Sequence, residues 1–400
     1  MKIGIIREGK RPIDRRVPLT PAQAKKLTST YPGVEVVVQP SSIRCFLDTD
    51  YAALGLPVQD DLHDCDILLG VKEVPIPDLI PNKTYFFFSH TIKKQAYNRD
   101  LLRSILQKNI TLVDYEVLTD PQGQRVIAFG RYAGIVGAYN GIWAYGQRTG
   151  SFSLKRAYKC HDLKELQKEF QKVKLPPIKI ALTGTGRVGQ GAMEVLDGMG
   201  IKRVSVRDFL EKPFTEAVYV SLDTSDYNQT TDGRPFDLAA FYQDPRAGFT
   251  SNFKRFLPQT DLLIAGAYWD MRAPVLFEKS DMKTGNFNIQ VIADITCDIE
   301  GSIPSTKQPS TIDDPIYDYN TLTDKIEPAT FKPGSITVMA VDNLPCELPR
   351  DASTDFGQML TEKVLPYFLG EDTNGIRQRA TITHQGKLTP TFDYLTDYVS

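Results

Sequence analysis

Apolar positions along the chain gather into short runs separated by amphipathic stretches. KIGIIRE opens the sequence with a buried-strand run, and VEVVVQP, DILLGVKEVP, YFFFSH and TLVDYEVL repeat the pattern with β-branched and aromatic residues. Helical periods fall between them. Thr20-Pro21 predicts a helix start, with Thr20 as N-cap and Pro21 at the first helical position, and NRDLLRSILQKN predicts another helix. Strand and helix in regular alternation predict a parallel sheet covered by helices. DPQGQR reads as a turn over 120–125, and RVIAF as the strand that follows it.

From Ala133 to Gly146 the chain is rich in small residues, and Gly134, Gly137, Ala138 and Gly141 share one helical face. DLKELQKEFQKV places Leu163, Leu166, Phe170 and Val173 in an apolar stripe, capped by Asp162 and stopped by Pro176-Pro177. A second α/β unit then opens with KIALTGTGRVGQG. Ile178 to Leu182 reads as a strand, Gly184, Gly186 and Gly189 stand at G-x-G-x-x-G spacing, and Met193, Val195 and Leu196 face the sheet from the following helix. The first glycine permits a tight turn, the second lets backbone approach a pyrophosphate, and the third allows close helix–strand packing. Asp208 closes the next run, RVSVRD, 19 residues after Gly189. An acid there accepts from a ribose 2′-OH and repels a 2′-phosphate, which favours NAD over NADP, although the adjacent Arg207 weakens that discrimination. The same pattern fits a glycine-rich turn without a ligand, and Asp208 an ordinary solvated acid. Residues from about 213 to 258 read as an excursion with loops of its own. DLLIAGAYW and IQVIADIT resume as buried strands, and STDFGQMLTEKVLPYFL predicts a helix in the tail.

A length of 400 residues predicts two domains. Lys and Arg number 47 against 49 Asp and Glu, a net charge of −2, so no whole-chain basic field draws in nucleic acid or anionic membrane. Five scattered cysteines form neither a disulfide framework nor a zinc motif, and no metal is expected. MKIGIIREGKRPIDRR lacks the apolar stretch of a signal peptide, and the uncharged stretch between Arg131 and Arg148 is shorter than the roughly 20 residues a bilayer crossing needs. A cytoplasmic protein is expected.

Candidate chemistry comes from strand ends. Lys72 in GVKEVP and His90 in YFFFSH stand where a parallel sheet lines its ligand crevice, and a Lys of lowered pKa with a His near neutrality can move protons. A structural strand-end histidine is the alternative for His90. Arg16, Arg125 and Arg131 add carboxylate-binding capacity near strand–loop junctions.

Taken in order, REGK, RRVPLTP, GVKEVP, FFSHTIKKQ, DYEVL, RVIAFGRYAG, GTGRVGQGA, ADITCDIEGSI and AVDNLPCELPRDAS resemble the alanine dehydrogenase/saccharopine dehydrogenase superfamily over nearly the whole chain. SHTIKKQ and VDNLPCELPRDAS resemble its saccharopine branch, which includes the lysine–2-oxoglutarate reductase domain of a bifunctional enzyme whose second half is not in this sequence. The resemblance implies an α/β protein of two Rossmann-like domains with parallel sheets and an active site in the cleft between them. The expected substrate domain spans 1–134 plus 345–400, and the dinucleotide domain 135–344.

By the same resemblance Lys72 and His90 are the acid–base pair, and Glu116 a carboxylate that tunes the lysine. Arg16, Gln95, Arg125, Phe129, Asp294 and Thr296 face the substrate, with Ile295 on the same strand end, and Asp298 aligns with the catalytic aspartate of the alanine dehydrogenase branch. Gly184, Gly186, Arg187, Gly189, Asp208, Tyr268, Ala293, Val341, Asp342 and Leu344 contact the cofactor, with Asn343 in the same loop. Gln124 and Val188 depart from the fungal pattern, which carries Arg and Cys there, and members of the reductase branch often use NADP. The implied activity is NAD- or NADP-dependent, reversible oxidative deamination of saccharopine, a CH–NH donor, to lysine and 2-oxoglutarate. An alanine or other opine-type amino-acid dehydrogenase is the alternative, and a non-catalytic nicotinamide-nucleotide binder the reading from another class. Expected partners are a small amino acid or 2-oxo acid, with no nucleic acid and no membrane; oligomeric state stays open.

Overall fold

The computed structural model describes residues 1–400. The chain forms two compact units, Met1–Phe129 with Pro349–Ser400, and Gly130–Leu348. The division falls a few residues from the expected 134/135 and 344/345 positions. The small-residue helix runs Gly130–Thr149 and belongs to the second unit from its first residue, as does the short turn Leu344–Glu347.

In the first unit the strands are β1 (Lys2–Ile5), β2 (Glu35–Val38), β3 (Ile67–Leu69), β4 (Thr84–Phe87) and β5 (Thr111–Asp114), joined late in the chain by β16 (Thr381–His384) and β17 (Lys387–Leu388). Their order is β17-β16-β5-β4-β3-β1-β2, with β2 through β5 mutually parallel and β16 antiparallel to β5. Alternation along the strands fills two cores: Ile3, Ile5, Leu69 and Phe86 pack into one, and Leu68, Tyr85, Phe87 and Leu112 into the other. The first helix, Pro21–Thr30, starts in a capping box in which Thr20 Oγ1 accepts from the Gln23 N–H and Gln23 Oε1 from the Thr20 N–H. RVIAF is not a strand. It makes one isolated bridge, Thr119 to Arg125, because the chain folds back tightly through residues 120–124 and then enters the helix at Gly130.

The second unit holds β6 (Lys179–Thr183), β7 (Lys202–Arg203), β8 (Val218–Leu222), β9 (Asn228–Thr230), β10 (Phe249–Ser251), β11 (Leu262–Ala265), β12 (Val291–Asp294), β13 (Ile316–Asn320), β14 (Lys325–Pro328) and β15 (Ser335–Met339). Its main sheet runs β14-β13-β15-β12-β11-β6-β8-β7, parallel except at β13 and β14, while β9 and β10 form a separate antiparallel pair. The strand beside the glycine loop therefore differs from the expected one. Of RVSVRD only Arg203 is in a strand, the two-residue edge strand β7, and the neighbour of β6 is VYVSL, which falls within the expected excursion. The physical reason is burial: every residue of β8 is buried, whereas Lys202 and Arg203 are exposed.

Helix Gly130–Thr149 approaches helix Arg187–Gly198 so closely that a Cβ on Gly134 would lie 1.9 Å from the Val188 carbonyl oxygen, and one on Gly191 2.0 Å from that of Arg131. Gly134→Ala is therefore expected to lower stability by at least the roughly 1–3 kcal/mol of an overpacked core. Thermal and denaturant unfolding check this, and a variant as stable as the parent would contradict so close a crossing.

Glu347 is wholly buried beneath the same helix, where its Oε1 accepts from Asn140 Nδ2 at 2.7 Å and Arg156 stands 3.6 Å from Oε2. Burial raises its carboxyl to about 7, against the opposing pull of Arg156. A carboxyl raised on folding stabilises most below its unfolded value near 4.5 and loses that contribution as pH climbs through 7. The stability of Glu347→Gln relative to the parent should thus improve by about 3 kcal/mol across that window. Unfolding midpoints of both proteins at several pH values read the difference, and parallel pH curves would count against it. No helix is long and apolar enough to cross a membrane.

Candidate active site

The order β2-β1-β3-β4 means that the chain reverses its direction of travel between β1 and β3, and ligands of such sheets bind outside the carboxyl ends at that reversal. Glu8 follows β1, Lys72 and Glu73 follow β3, and His90 follows β4. Glu8 accepts the backbone N–H groups of Val71 at 2.7 Å and Lys72 at 2.9 Å, which fixes the lysine's main chain. Enclosure of the Glu8 carboxyl and the nearby Asp14 raise its pKa.

Lys72 is half-buried, and its pKa is lowered, first by desolvation and then by the Arg16 charge, while Asp14 and Glu73 pull the other way. His90 Nδ1 stands 2.7 Å from Glu73 Oε1, which also receives Lys10 Nζ at 2.5 Å and Asn98 Nδ2 at 3.3 Å. Burial alone would raise Glu73, but the bond and charge of His90 and the bond from Lys10 outweigh it and hold the carboxyl down at about 2. An ionised carboxylate only accepts, so it selects the tautomer with a proton on Nδ1 and leaves Nε2 as the basic nitrogen. His90 itself sits at φ 51°, a left-handed backbone that a non-glycine residue adopts only when its surroundings enforce it. Here the preceding Ser89 is tied by its N–H and its hydroxyl to the buried Asp114 Oδ2.

Arg16 is buried and forks onto Asp14, with Nε–Oδ1 at 3.0 Å and Nη2–Oδ2 at 2.6 Å. Its guanidinium lies 4.1 Å from the centre of the Phe129 ring, which stacks on Phe356. Arg125 donates Nε to the Ile127 carbonyl at 3.0 Å and lies over Phe88, whose other ring neighbours include His90 and Phe129. Arg16, Lys72, His90, Arg125 and Phe129 thus gather around one strand-end cluster. Gln95 stands just beyond it, its side-chain oxygen accepting from Tyr97 at 2.6 Å. The strongest charge influences on Lys72 are Arg16, Asp14, Glu73 and Lys10; Glu116 follows β5, and its backbone N–H donates to Asp114 Oδ1 at 2.7 Å. Glu8, Asp14 and Glu73 were missed by the sequence reading. Glu73 had a signal, since it directly follows Lys72 in VKEVP.

In the second unit each glycine of the loop meets a distinct environment. Gly184 has φ +96° and a Cβ there would lie 2.9 Å from the Ala267 backbone, while a Cβ on Gly189 would lie 1.9 Å from the Gly184 carbonyl oxygen. A Cβ on Gly186 would meet nothing within 4 Å, so its small size answers no internal demand. Gly186 caps helix Arg187–Gly198 without a side-chain bond, and Thr185, Gly186 and Arg187 are exposed, leaving the first backbone N–H groups turned outward. These residues fit a pyrophosphate.

Asp208 does not close a strand. It lies in the first turn of helix Val206–Glu211, beyond edge strand β7, and pairs with Lys212 at 2.9 Å. The acid that ends the strand next to the loop is Asp223: Thr183 pairs with Leu222, and the Gly184 N–H donates to the Leu222 carbonyl at 2.9 Å. Asp223 is exposed, 34 residues after Gly189, so a search at about 20 residues passes it by.

Tyr268 follows β11 and is 83% exposed. Ala293 is buried in β12 with its methyl under Gly141, and Val341 and Leu344 are buried while Asp342 is exposed. Asp294 departs from its expected substrate contact. It is fully buried, and its carboxylate accepts from the hydroxyls of Thr296 and Thr306, each at 2.7 Å, so both it and the Thr296 hydroxyl are used in holding the loop after β12.

Residues 4–136 match the family described as alanine dehydrogenase/PNT, N-terminal domain, and residues 168–389 its C-terminal domain. The alpha-aminoadipic semialdehyde synthase of Arabidopsis thaliana is 30% identical over 98% of this chain, which covers 41% of that relative. This chain therefore spans less than half the length of that relative. The saccharopine dehydrogenase [NAD(+), L-lysine-forming] of Emericella nidulans is 28% identical over 90% of each chain. Among solved structures, an L-alanine dehydrogenase superposes over the full length of both chains with a TM-score of 0.68 at 18% identity, a likeness of fold. The chain belongs to the alanine dehydrogenase/PNT family.

Proposed function

We propose that the chain is a nicotinamide-dependent saccharopine dehydrogenase of the lysine-forming type. The observation that carries this reading is Lys72, its pKa lowered by burial and Arg16, beside a His90 that Glu73 holds in one tautomer. Relatives bearing that name align with nearly the whole chain, which supports the substrate assignment.

Hydride can leave a carbon only if the adjacent nitrogen is neutral and can share its lone pair. Lys72 takes the proton of the secondary amine. A nicotinamide cofactor held by the glycine loop at Gly184, Gly186 and Gly189 would supply the acceptor for the hydride lost from the glutamate Cα, a loss that leaves a substrate iminium. His90 Nε2 then removes a proton from water as its oxygen adds to that carbon. The Lys72 ammonium returns a proton to the nitrogen, the C–N bond breaks, and the carbinolamine hydroxyl proton leaves as the carbonyl forms. The sum is saccharopine, water and oxidised cofactor giving lysine, 2-oxoglutarate, reduced cofactor and one proton. Glu73 keeps His90 aligned in both protonation states.

Three substrate carboxylates call for cations, and we assign Arg16 and Arg125 to them, with Gln95 and Phe129 as further contacts. The pyrophosphate is assigned to Gly184, Gly186, Arg187 and Gly189, with Tyr268, Ala293, Val341, Asp342 and Leu344 as other cofactor contacts. Asp223, and not Asp208, is assigned to the ribose, and NAD is the proposed cofactor. Incubating the protein with lysine, 2-oxoglutarate and NADH, then identifying the product by mass spectrometry, tests this reading. Saccharopine is expected; alanine formed from pyruvate and ammonia, with no saccharopine, would replace it by the alanine dehydrogenase reading.

A further inference from the structure

Thr224–Pro258 is used by none of the chemistry above, yet it is a folded element. It leaves β8 at Asp223, forms the β9–β10 hairpin and helix Leu238–Gln243, and closes around Phe236, Phe241 and Phe249, with ring centres 5.2–5.5 Å apart. One side of it borders a cavity of about 140 Å³ at the carboxyl ends of the adjacent strands β8, β6 and β11. Thr183 lies at the end of β6, Tyr227 and Tyr242 come from the inserted element, and Ala267, Tyr268 and Trp269 follow β11.

Two properties define what this cavity suits. Its walls are aromatic, and the acid among them, Asp270, is neutralised by a two-pronged pair with Arg272. Tyr242 and Tyr268 are 64% and 83% exposed, an arrangement that leaves large ring faces in water at the mouth of an apolar hollow. An uncharged planar heterocycle covers such faces by stacking, as bases do on aromatic side chains. The Tyr242 hydroxyl also lies 3.4 Å from Thr224 Oγ1, next to Asp223, so the ring is within one residue of the proposed ribose acid.

We infer that the Thr224–Pro258 element is the adenine wall of the cofactor site, with Tyr242 stacking on the base opposite Tyr268. The inference rests on the dinucleotide reading above and adds to it the residue and element that supply affinity for the adenosine half. Stacking on one ring corresponds to roughly a 5- to 150-fold loss on truncation.

The test compares binding of NADH, 5′-AMP and reduced nicotinamide mononucleotide to the full chain and to Tyr242→Ala, by calorimetry for AMP and fluorescence for the other two. NADH and AMP should each weaken at least fivefold in Tyr242→Ala, with the mononucleotide unchanged, and Tyr242→Phe should restore both. Unchanged AMP affinity in Tyr242→Ala would overturn the inference, as would equal losses for all three ligands. Should the parent bind neither NADH nor AMP, the dinucleotide reading itself fails and takes this one with it.

Discussion

Turnover of saccharopine should fall by roughly 10²–10⁴-fold in Lys72→Met and again in His90→Gln, the usual contribution of a positioned acid or base. The two losses have different origins. Without Lys72 no group beside the amine accepts its proton, and the neutral lone pair that drives hydride departure is scarce at neutral pH. Without His90 the water that attacks the iminium has no base, and Glu73 keeps only Lys10 and Asn98 as partners. Because burial and Arg16 lower the Lys72 pKa, activity in the oxidative direction should rise with pH through a value below the ordinary lysine range, and this limb should vanish in Lys72→Met. Cofactor affinity should stay close to that of the parent, since the proposed dinucleotide residues belong to the other unit. Steady-state kcat with a fluorescence titration of NADH separates the two effects. Near-normal turnover in both variants would remove Lys72 and His90 from the chemistry.

Cofactor choice should follow Asp223 and ignore Asp208. At the end of β8, a carboxylate accepts from a ribose 2′-OH but repels a 2′-phosphate carrying nearly two negative charges. Asp223→Asn retains an oxygen that can cap the short helix behind it, so its main effect is the loss of charge. The ratio of kcat/KM for NAD to that for NADP should drop by about 5–150-fold, equivalent to roughly 1–3 kcal/mol. Asp208→Asn should leave that ratio unchanged, because its carboxylate is already paired with Lys212 in a surface helix. A ratio that moves with Asp208 and not with Asp223 would reverse the assignment.

The contrast between these two aspartates shows what could be read from the sequence. KIALTGTGRVGQG was legible because each part is local: a buried strand, three glycines at fixed spacing, and a helix. Which strand lies next to it is a long-range fact. VYVSL lies between β6 and β7 in the sheet although it follows both in sequence, and no local pattern announces that swap. The excursion hid it, since its loop-rich composition drew the strand into the loop. In the first unit Lys72 and His90 were legible as polar residues ending apolar runs. Glu8 was not, because its importance arises only when β1 lies beside β3 and brings its carboxylate to the Val71 and Lys72 amides. Asp294 erred the other way. A strand-end acid faces a ligand or folds inward onto its own loop, and the hydroxyls of Thr296 and Thr306 drew this one inward.

The proposed chemistry is that Lys72 and the His90–Glu73 pair act on a secondary amine joining lysine to a five-carbon diacid. Its most direct test is kcat/KM for oxidation of saccharopine with NAD, measured beside alanine on the same preparation. NADH formation with saccharopine is expected, with release of lysine and 2-oxoglutarate in equal amounts and little or no turnover of alanine. Turnover of alanine with none of saccharopine, in a protein that binds NADH, would contradict it.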